Sequence, residues 1–259
     1  ELDLTDKEPD LKPNIIMLQL ESFFDVNYLE GLELEDNPLP VFTNLKENYP
    51  SGFLTVTANG GGTANTEFEV ITSMNLKHFG IGEYPFTTIL DSKSCPSTAS
   101  ALRNYGYTSH ALHNHIATFY NRHHVYANLG FDTFTSLEYM MNPEFNSLGW
   151  AKDSILENEI LNALKSTESQ DYIYAISVQA HGRYPETYTD GKFKINGGRY
   201  ENINGPLSYY IDEINEVDTF LASLTKTLSE FDEPTVLVMY GDHLPCLEIT
   251  EKDLKNENL

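Results

Sequence analysis

Cysteine is nearly missing from this chain: its 259 residues hold Cys95 and Cys246 and no other. Two thiols are too few for a disulfide scaffold. With no CxxC pair and no nearby Cys/His set they do not make a thiolate zinc site either. They read as ordinary buried or half-buried thiols. Basic residues are scarce as well, 16 Lys plus Arg against 39 Asp plus Glu, a formal charge of −23. That balance argues against nucleic acid as a partner, because neutralising phosphates needs clustered Lys and Arg. An apolar run near the ~18 residues of a membrane helix does not occur. The N-terminus also lacks the charged-then-apolar pattern of a leader peptide.

What is present is enough for a core. The chain is 40% hydrophobic and 12% aromatic, with 16 Tyr, 14 Phe and one Trp. Its length suits one large α/β domain or two small ones. The first dozen residues, ELDLTDKEPDLK, are polar and acidic and read as a linker. Residues 13–247 read as one catalytic domain. Residues 248–259 read as the start of a segment that would continue in a longer protein.

Apolar runs bounded by turn residues predict buried strands at 14–20, 52–57, 108–114, 172–179 and 235–241. Helical spacing predicts helices over 64–74, 96–105, 151–165 and 209–231, the last with a stripe from Ile211 to Leu228. Strands alternating with helices predict a mostly parallel sheet covered by helices on both faces. In such sheets the ligand site lies beyond the carboxyl ends of the strands. The residues that follow each strand are therefore the ones to weigh.

Glu21 follows the first strand, and Asp242 and His243 follow the last. Two carboxylates and an imidazole suit a divalent cation, Mn²⁺ or Mg²⁺ rather than a thiolate-type zinc. Thr63 follows three glycines and opens a helix. Glycines let backbone approach a ligand closely, and a helix N-terminus offers N–H groups to an anion. Its hydroxyl is either a nucleophile awaiting activation or an ordinary N-cap. No Lys follows the glycines, so a Walker A loop is excluded. His113, His115, Phe119, Tyr120 and Arg122 cluster after the third strand. Arg122 suits bidentate phosphate recognition, and the aromatics suit a pocket wall. His123 and His124 read as exposed helix residues. His181 follows the fourth strand.

Together these residues resemble the lipoteichoic acid synthase family, extracellular phosphoglycerol transferases of the sulfatase and alkaline phosphatase superfamily. The markers are NIIMLQLES (14–22), GGTANTEFE (61–69), HNHIATFYNRHHVY (113–126), GFD (130–132), Gly149-Trp150 with Asp153, AHGRYP (180–185) and YGDH (240–243). The resemblance implies an alkaline-phosphatase-like fold whose C-terminal part is absent. It implies Glu21, Thr63, Asp242 and His243 as ligands of one catalytic metal, usually manganese, with magnesium as the other option. It implies Thr63 as nucleophile, and His113, Tyr120, Arg122 and His181 as the residues that hold the phosphoglycerol group. The better-known members carry Trp at the Tyr120 position. Also implied are a phosphatidylglycerol donor, a polyglycerolphosphate or glycolipid acceptor, and a bacterial membrane tether holding the domain on the extracellular face, of which this chain is a soluble fragment.

Other readings stay open at this level. A sulfatase would need a C/S-x-P-x-R nucleophile motif; the nearest run, Ser94-Cys95-Pro96-Ser97-Thr98, lacks the Arg. A phosphodiesterase would differ only in using water as acceptor. A silent binding module would be expected to have lost a ligand residue. His181 and His113 are both candidates for the proton carrier, since His titrates near neutral pH.

Overall fold

A computed structural model describes residues 11–58, 60–196 and 198–255. Most of the expected 1–12 linker, Asn59, Gly197 and the last four residues of the 248–259 segment lie outside the described residues. The strands are β1 (Asn14–Leu20), β2 (Glu33–Leu34), β3 (Thr108–His113), β4 (Thr133–Ser136), β5 (Asp171–Ile176), β6 (Ile195–Asn196) and β7 (Thr235–Gly241). The helices are α1 (Pro40–Asn48), α2 (Thr63–Thr72), α3 (Thr98–Arg103), α4 (Arg122–Asn128), α5 (Ile155–Leu164) and α6 (Asn204–Ser229).

Five strands form one sheet in the order β4-β3-β5-β1-β7, all pairings parallel. β2 and β6 make a small antiparallel ribbon apart from it. β5 is buried along its whole length, which is why DYIYAI reads as an unbroken run rather than an alternating one. Each face of the sheet carries its own core. Ile16, Leu18 and Ile173 pack with the stripe of α6 and with α5. Tyr172, Tyr174 and Ile176 point the other way, toward Phe68 of α2, Ala99 of α3 and Val125 of α4. Helices thus cover both faces, as the alternation predicted.

One predicted strand is absent. Residues 52–57 form no ladder, and Phe53 and Leu54 are 67% and 51% exposed. β-branched and aromatic composition favours strand only where a neighbour can take up the backbone groups, and none does here. The place in the sheet goes to β4, the short TFTS, whose pairing to β3 puts Ser136 beside His113. α1 was not anticipated: it is short, opens on Pro40 and has Asp218 accepting from its Val41 and Phe42 amides. The four predicted helices form, with shifted ends. α3 is the clearest case, starting at a Ser97 capping box rather than at Pro96. Cys95 and Cys246 are unpaired, and Cys246 is exposed rather than buried.

Candidate active site

The carboxyl ends of β1, β3, β5 and β7 share one edge of the sheet, and they bring Glu21, His113, His181 and the Asp242-His243 pair to it. The chain leaves β1 through Ser22, whose φ of 52° turns it sharply. In that turn the Ser22 amide donates to Asp242 Oδ1 at 2.7 Å and the Ser22 hydroxyl to Glu21 Oε1 at 3.0 Å. Two buried carboxylates from distant strands are thereby fixed side by side.

Thr63 arrives from the far side. Gly60, Gly61 and Gly62 all have positive φ, and at Gly62 (106°) a Cβ would press on Ala58 and on the Tyr84 hydroxyl. The turn delivers Thr63 to the first position of α2. The helix start has no side-chain cap, so its leading N–H groups are available to an anion. Thr63 is therefore not an N-cap. Its hydroxyl donates to Glu21 Oε2 at 2.8 Å, and its carbonyl accepts from Gln19 Nε2 at 3.3 Å. Thr66, on the same helix, donates to the Asp242 carbonyl at 2.7 Å.

His243 Nε2 stands 3.4 Å from Glu21 Oε1 and 3.5 Å from Asp242 Oδ2. One donor atom from each of the three residues lies within 4.8 Å of the others. His243 Nδ1 faces the Leu244 carbonyl at 2.9 Å. A carbonyl only accepts, so Nδ1 carries a proton and Nε2 is the nitrogen turned to the carboxylates. Asp242 Oδ2 and His243 Nε2 are both buried and lack a hydrogen-bond partner among the described residues. Unpartnered polar atoms are costly in an interior. Two of them aimed at one point, beside a carboxylate and a hydroxyl, fit a divalent cation of the oxygen-and-imidazole kind.

The electrostatics of the cation-free cluster agree. Burial pushes the Asp242 carboxyl well above its usual range, and repulsion from Glu21 adds to it. Burial also works on Glu21, but its pairing with His243 prevails and holds it below the usual range. Burial would lower His243; the two carboxylates outweigh it and push the imidazole up to about 9. Without a cation, protons neutralise the cluster. Glu21, Asp242 and His243 would give up these protons on holding a cation.

The residues expected to hold the substrate line the neighbouring wall. His113 is buried, and its Nδ1 donates to the Ile176 carbonyl at 3.0 Å, leaving Nε2 bare. Burial, then the charge of Arg122, hold it neutral by pushing its pKa well below the usual value. His181 is half-buried, with Nδ1 held by the Gly182 carbonyl and its ring against Trp150. Tyr120 stacks on Tyr84 at 5.5 Å, and burial pushes its phenol up to about 12.

Arg122 is only 1% exposed. Its Nε and Nη2 are bound by Glu67, and Nη1 donates to the Phe119 carbonyl at 3.3 Å. The sequence reading had no partner for Arg122. Glu67 stands one helical turn after Thr63, and that i,i+4 spacing was the available signal. Tyr84 and the ring contact of Trp150 with His181 were also missed; Tyr84 had no sequence cue. His123 and His124 lie exposed on α4, as expected. Ser94–Thr98 is occupied elsewhere: the Cys95 amide donates to the Asn128 carbonyl and the Ser97 hydroxyl to the Leu129 carbonyl.

The family model described as Sulfatase matches residues 13–258. A Rhizobium meliloti protein named for cyclic beta-1,2-glucan modification is 33% identical over 238 residues, 91% of this chain and 36% of that one. The lipoteichoic acid synthase of Staphylococcus saprophyticus is 27% identical over 254 residues, 94% of this chain and 38% of that one. The Streptococcus pyogenes phosphoglycerol transferase GacH, solved with sn-glycerol-1-phosphate, superposes with a TM-score of 0.81 at 25% identity, covering 95% of this chain and 65% of that one. The chain thus spans little more than a third of the length of the curated relatives.

Proposed function

This chain belongs to the sulfatase family, and from that premise we propose that it is the catalytic domain of a phosphoglycerol transferase. It takes glycerol phosphate from phosphatidylglycerol through a phospho-threonine intermediate on Thr63. It passes the group to a hydroxyl on a polyglycerolphosphate or glycolipid acceptor. The observation that carries the reading is the Thr63 hydroxyl, 2.8 Å from Glu21 at an uncapped helix start, beside the unpartnered polar atoms of Asp242 and His243. The likeness to lipoteichoic acid synthase and to GacH supports the donor chemistry.

Glu21, Thr63, Asp242 and His243 would hold the cation, for which Mn²⁺ is proposed and Mg²⁺ is the alternative. When bound, it supplies a Lewis acid that makes a coordinated hydroxyl acidic. Thr63 Oγ1 forms the new bond to phosphorus. The bond from phosphorus to the diacylglycerol oxygen breaks, and that oxygen leaves with the proton Thr63 gave up. His181 carries the proton. Its Nδ1 is tied to the Gly182 carbonyl, so Nε2 is the working atom, and it is more open to solvent than His113. The second half runs in reverse: the acceptor oxygen bonds to phosphorus, the bond to Thr63 breaks, and the acceptor proton returns to Thr63 by way of His181.

The uncapped N–H groups of α2 offset charge on the phosphorus oxygens, with a smaller share from Arg122, whose Nε and Nη2 are already held by Glu67. His113 and Tyr120 wall the headgroup. At −23 the domain is repelled by an anionic bilayer. No helix among the described residues is long and apolar enough to cross a membrane. A tether elsewhere in the full protein, holding the domain on the outer face of a bacterial membrane, would keep it beside its lipid donor.

The test is intact mass after incubation with phosphatidylglycerol and Mn²⁺. A glycerophosphate adduct mapping to Thr63, absent from Thr63→Ala, is expected. Full turnover by Thr63→Ala sinks the proposal.

A further inference from the structure

Six aromatic rings run in an unbroken line from the nucleophile's loop to the proton carrier. Tyr84 begins it, its hydroxyl 3.4 Å from where a Cβ on Gly62 would stand. Tyr84 stacks on Tyr120 at 5.5 Å between centroids, and Tyr120 meets Phe119 at 4.5 Å. Phe119 meets His115 at 5.1 Å, His115 meets Trp150 at 5.4 Å, and Trp150 meets His181 at 4.3 Å. Tyr120 and His181 already serve the headgroup in the reading above. Phe119, His115 and Trp150 have no task there.

We infer that these three rings form the acceptor subsite and that its occupant is a neutral sugar ring, so the accepting hydroxyl belongs to a glycan rather than to the end of a glycerol phosphate chain. The inference rests on the transfer reading and narrows its acceptor. Three features support it. First, the rings are open on one side, Phe119 being 38% exposed and His115 and Trp150 half-buried. The C–H face of a sugar packs on such rings while its hydroxyls stay in water. Second, the wall is rigid before anything binds. Trp150 exchanges hydrogen bonds with Asn146, N to Oδ1 at 3.0 Å and O from N at 2.9 Å, and Asn146 is itself held by the Gln179 carbonyl and Glu213. The His115 carbonyl is fixed by the Leu137 amide at 3.1 Å. Preordered walls bind at a lower entropic cost. A sugar seated on Trp150 also lies beside His181, where its hydroxyl must lose a proton.

Third, the charge is wrong for a polyanion. The segments that build the wall, 81–90, 113–124, 145–152 and 178–185, contain three cations, Arg122, Lys152 and Arg183. Arg122 is paired with Glu67, and Lys152 with Glu216 at 3.0 Å. Burial, reinforced by Arg122, pushes the His115 imidazole below its usual value, so it adds no charge. Arg183 alone is no track for a chain bearing one negative charge per unit, entering a domain at −23.

Trp150 is the chain's only tryptophan, so its emission reports on this wall directly. The protein in Mg²⁺ is titrated with a panel of neutral gluco-, galacto- and N-acetylglucosamine oligosaccharides, and separately with a synthetic glycerol phosphate hexamer. A saturable change with at least one oligosaccharide, weaker or absent with the hexamer, is expected. Phe119→Ala should weaken that response about ten-fold, a typical loss for one stacking contact. Saturation by the hexamer alone, or silence toward both, overturns the inference. In a second arm, protein carrying the Thr63 adduct is offered both acceptors. Trp150→Ala should raise KM for the sugar far more than it lowers kcat, and Trp150→Phe should restore it; an unchanged KM in Trp150→Ala counts against the subsite. The arms separate the two failures. Sugar binding without an adduct removes the transfer reading and keeps the sugar site. An adduct that the hexamer discharges and no oligosaccharide does keeps the transfer reading and removes the sugar.

Discussion

Glu67 and Arg122 meet as a fully buried ion pair, with Glu67 Oε2 3.1 Å from Arg122 Nε and also accepting the Tyr126 hydroxyl. Glu67 sits one turn beyond Thr63 on α2, so one helix carries the proposed nucleophile and the anchor of the proposed phosphate clamp. Removing one partner of a buried pair leaves an uncompensated charge. Glu67→Gln is therefore expected to cost about 3–5 kcal/mol. Tyr126→Phe, which removes one hydrogen bond to a charged group, should cost about 1.5–3 kcal/mol. Urea unfolding of both variants checks the order; a Glu67→Gln protein as stable as wild type contradicts it.

The cation site should be visible as stability. A cation that binds only the folded chain stabilises it by about 2.7 kcal/mol at a hundred times its Kd. For a domain of this size that raises Tm by about 5–10 °C. Asp242→Asn and His243→Ala should abolish the rise with Mn²⁺. Differential scanning fluorimetry with and without Mn²⁺ makes the comparison, and equal shifts in wild type and variants would exclude these residues as ligands.

Asp153, not among the proposed cation ligands, supplies a pH dependence of its own. Burial pushes its carboxyl up to about 6, even though the Asn114 side chain and the Val178 and Gln179 amides donate to Oδ1. The folded pKa lies above the unfolded one, so the folded state holds the proton longer. Stability from this group is complete below the unfolded value of about 4 and is lost as pH rises to about 6. The loss is of order 3 kcal/mol. Asp153→Asn carries no such loss. Relative to wild type it should gain about that amount between pH 4 and pH 7, as read by urea unfolding at both. A constant difference between the two proteins would refute the assignment.

Gly241 ends β7 opposite Leu20 of β1. A Cβ at Gly241 would run into the Phe23 carbonyl oxygen, which is backbone and cannot swing aside. Gly241→Ala should force apart the strand ends that carry Glu21 and Asp242. Expected are a loss of about 1–3 kcal/mol and a larger fractional loss of Mn²⁺ affinity by calorimetry. Unchanged affinity would mean the two ends are not coupled through this contact.

Much of this was legible in the chain because buried parallel strands announce themselves as unbroken apolar runs. NIIMLQL, TSHALH, DYIYAI and TVLVMYG could be read directly, and the polar residue after each one lies at the same sheet edge. The glycines before Thr63 were legible for a similar reason, since few other residues adopt those positive φ values. Residues 52–57 show the limit. Their composition suits a strand, but strand formation depends on a neighbour, and TFTS took the edge instead.

The sequence by itself determined the fold class, the polar edge and the donor types gathered there, because each follows from local periodicity and from chemistry carried by single residues. Tertiary structure alone decided the pairings: Thr63 with Glu21, Arg122 with Glu67, Tyr84 with Tyr120 and Trp150 with His181. Residues 30 to 55 positions apart meet only after the sheet has set its strand order and the helices have docked on its faces. No local pattern encodes such a distance, so the difference between a bare arginine and a paired one, or between loose aromatics and a continuous wall, is a property of packing.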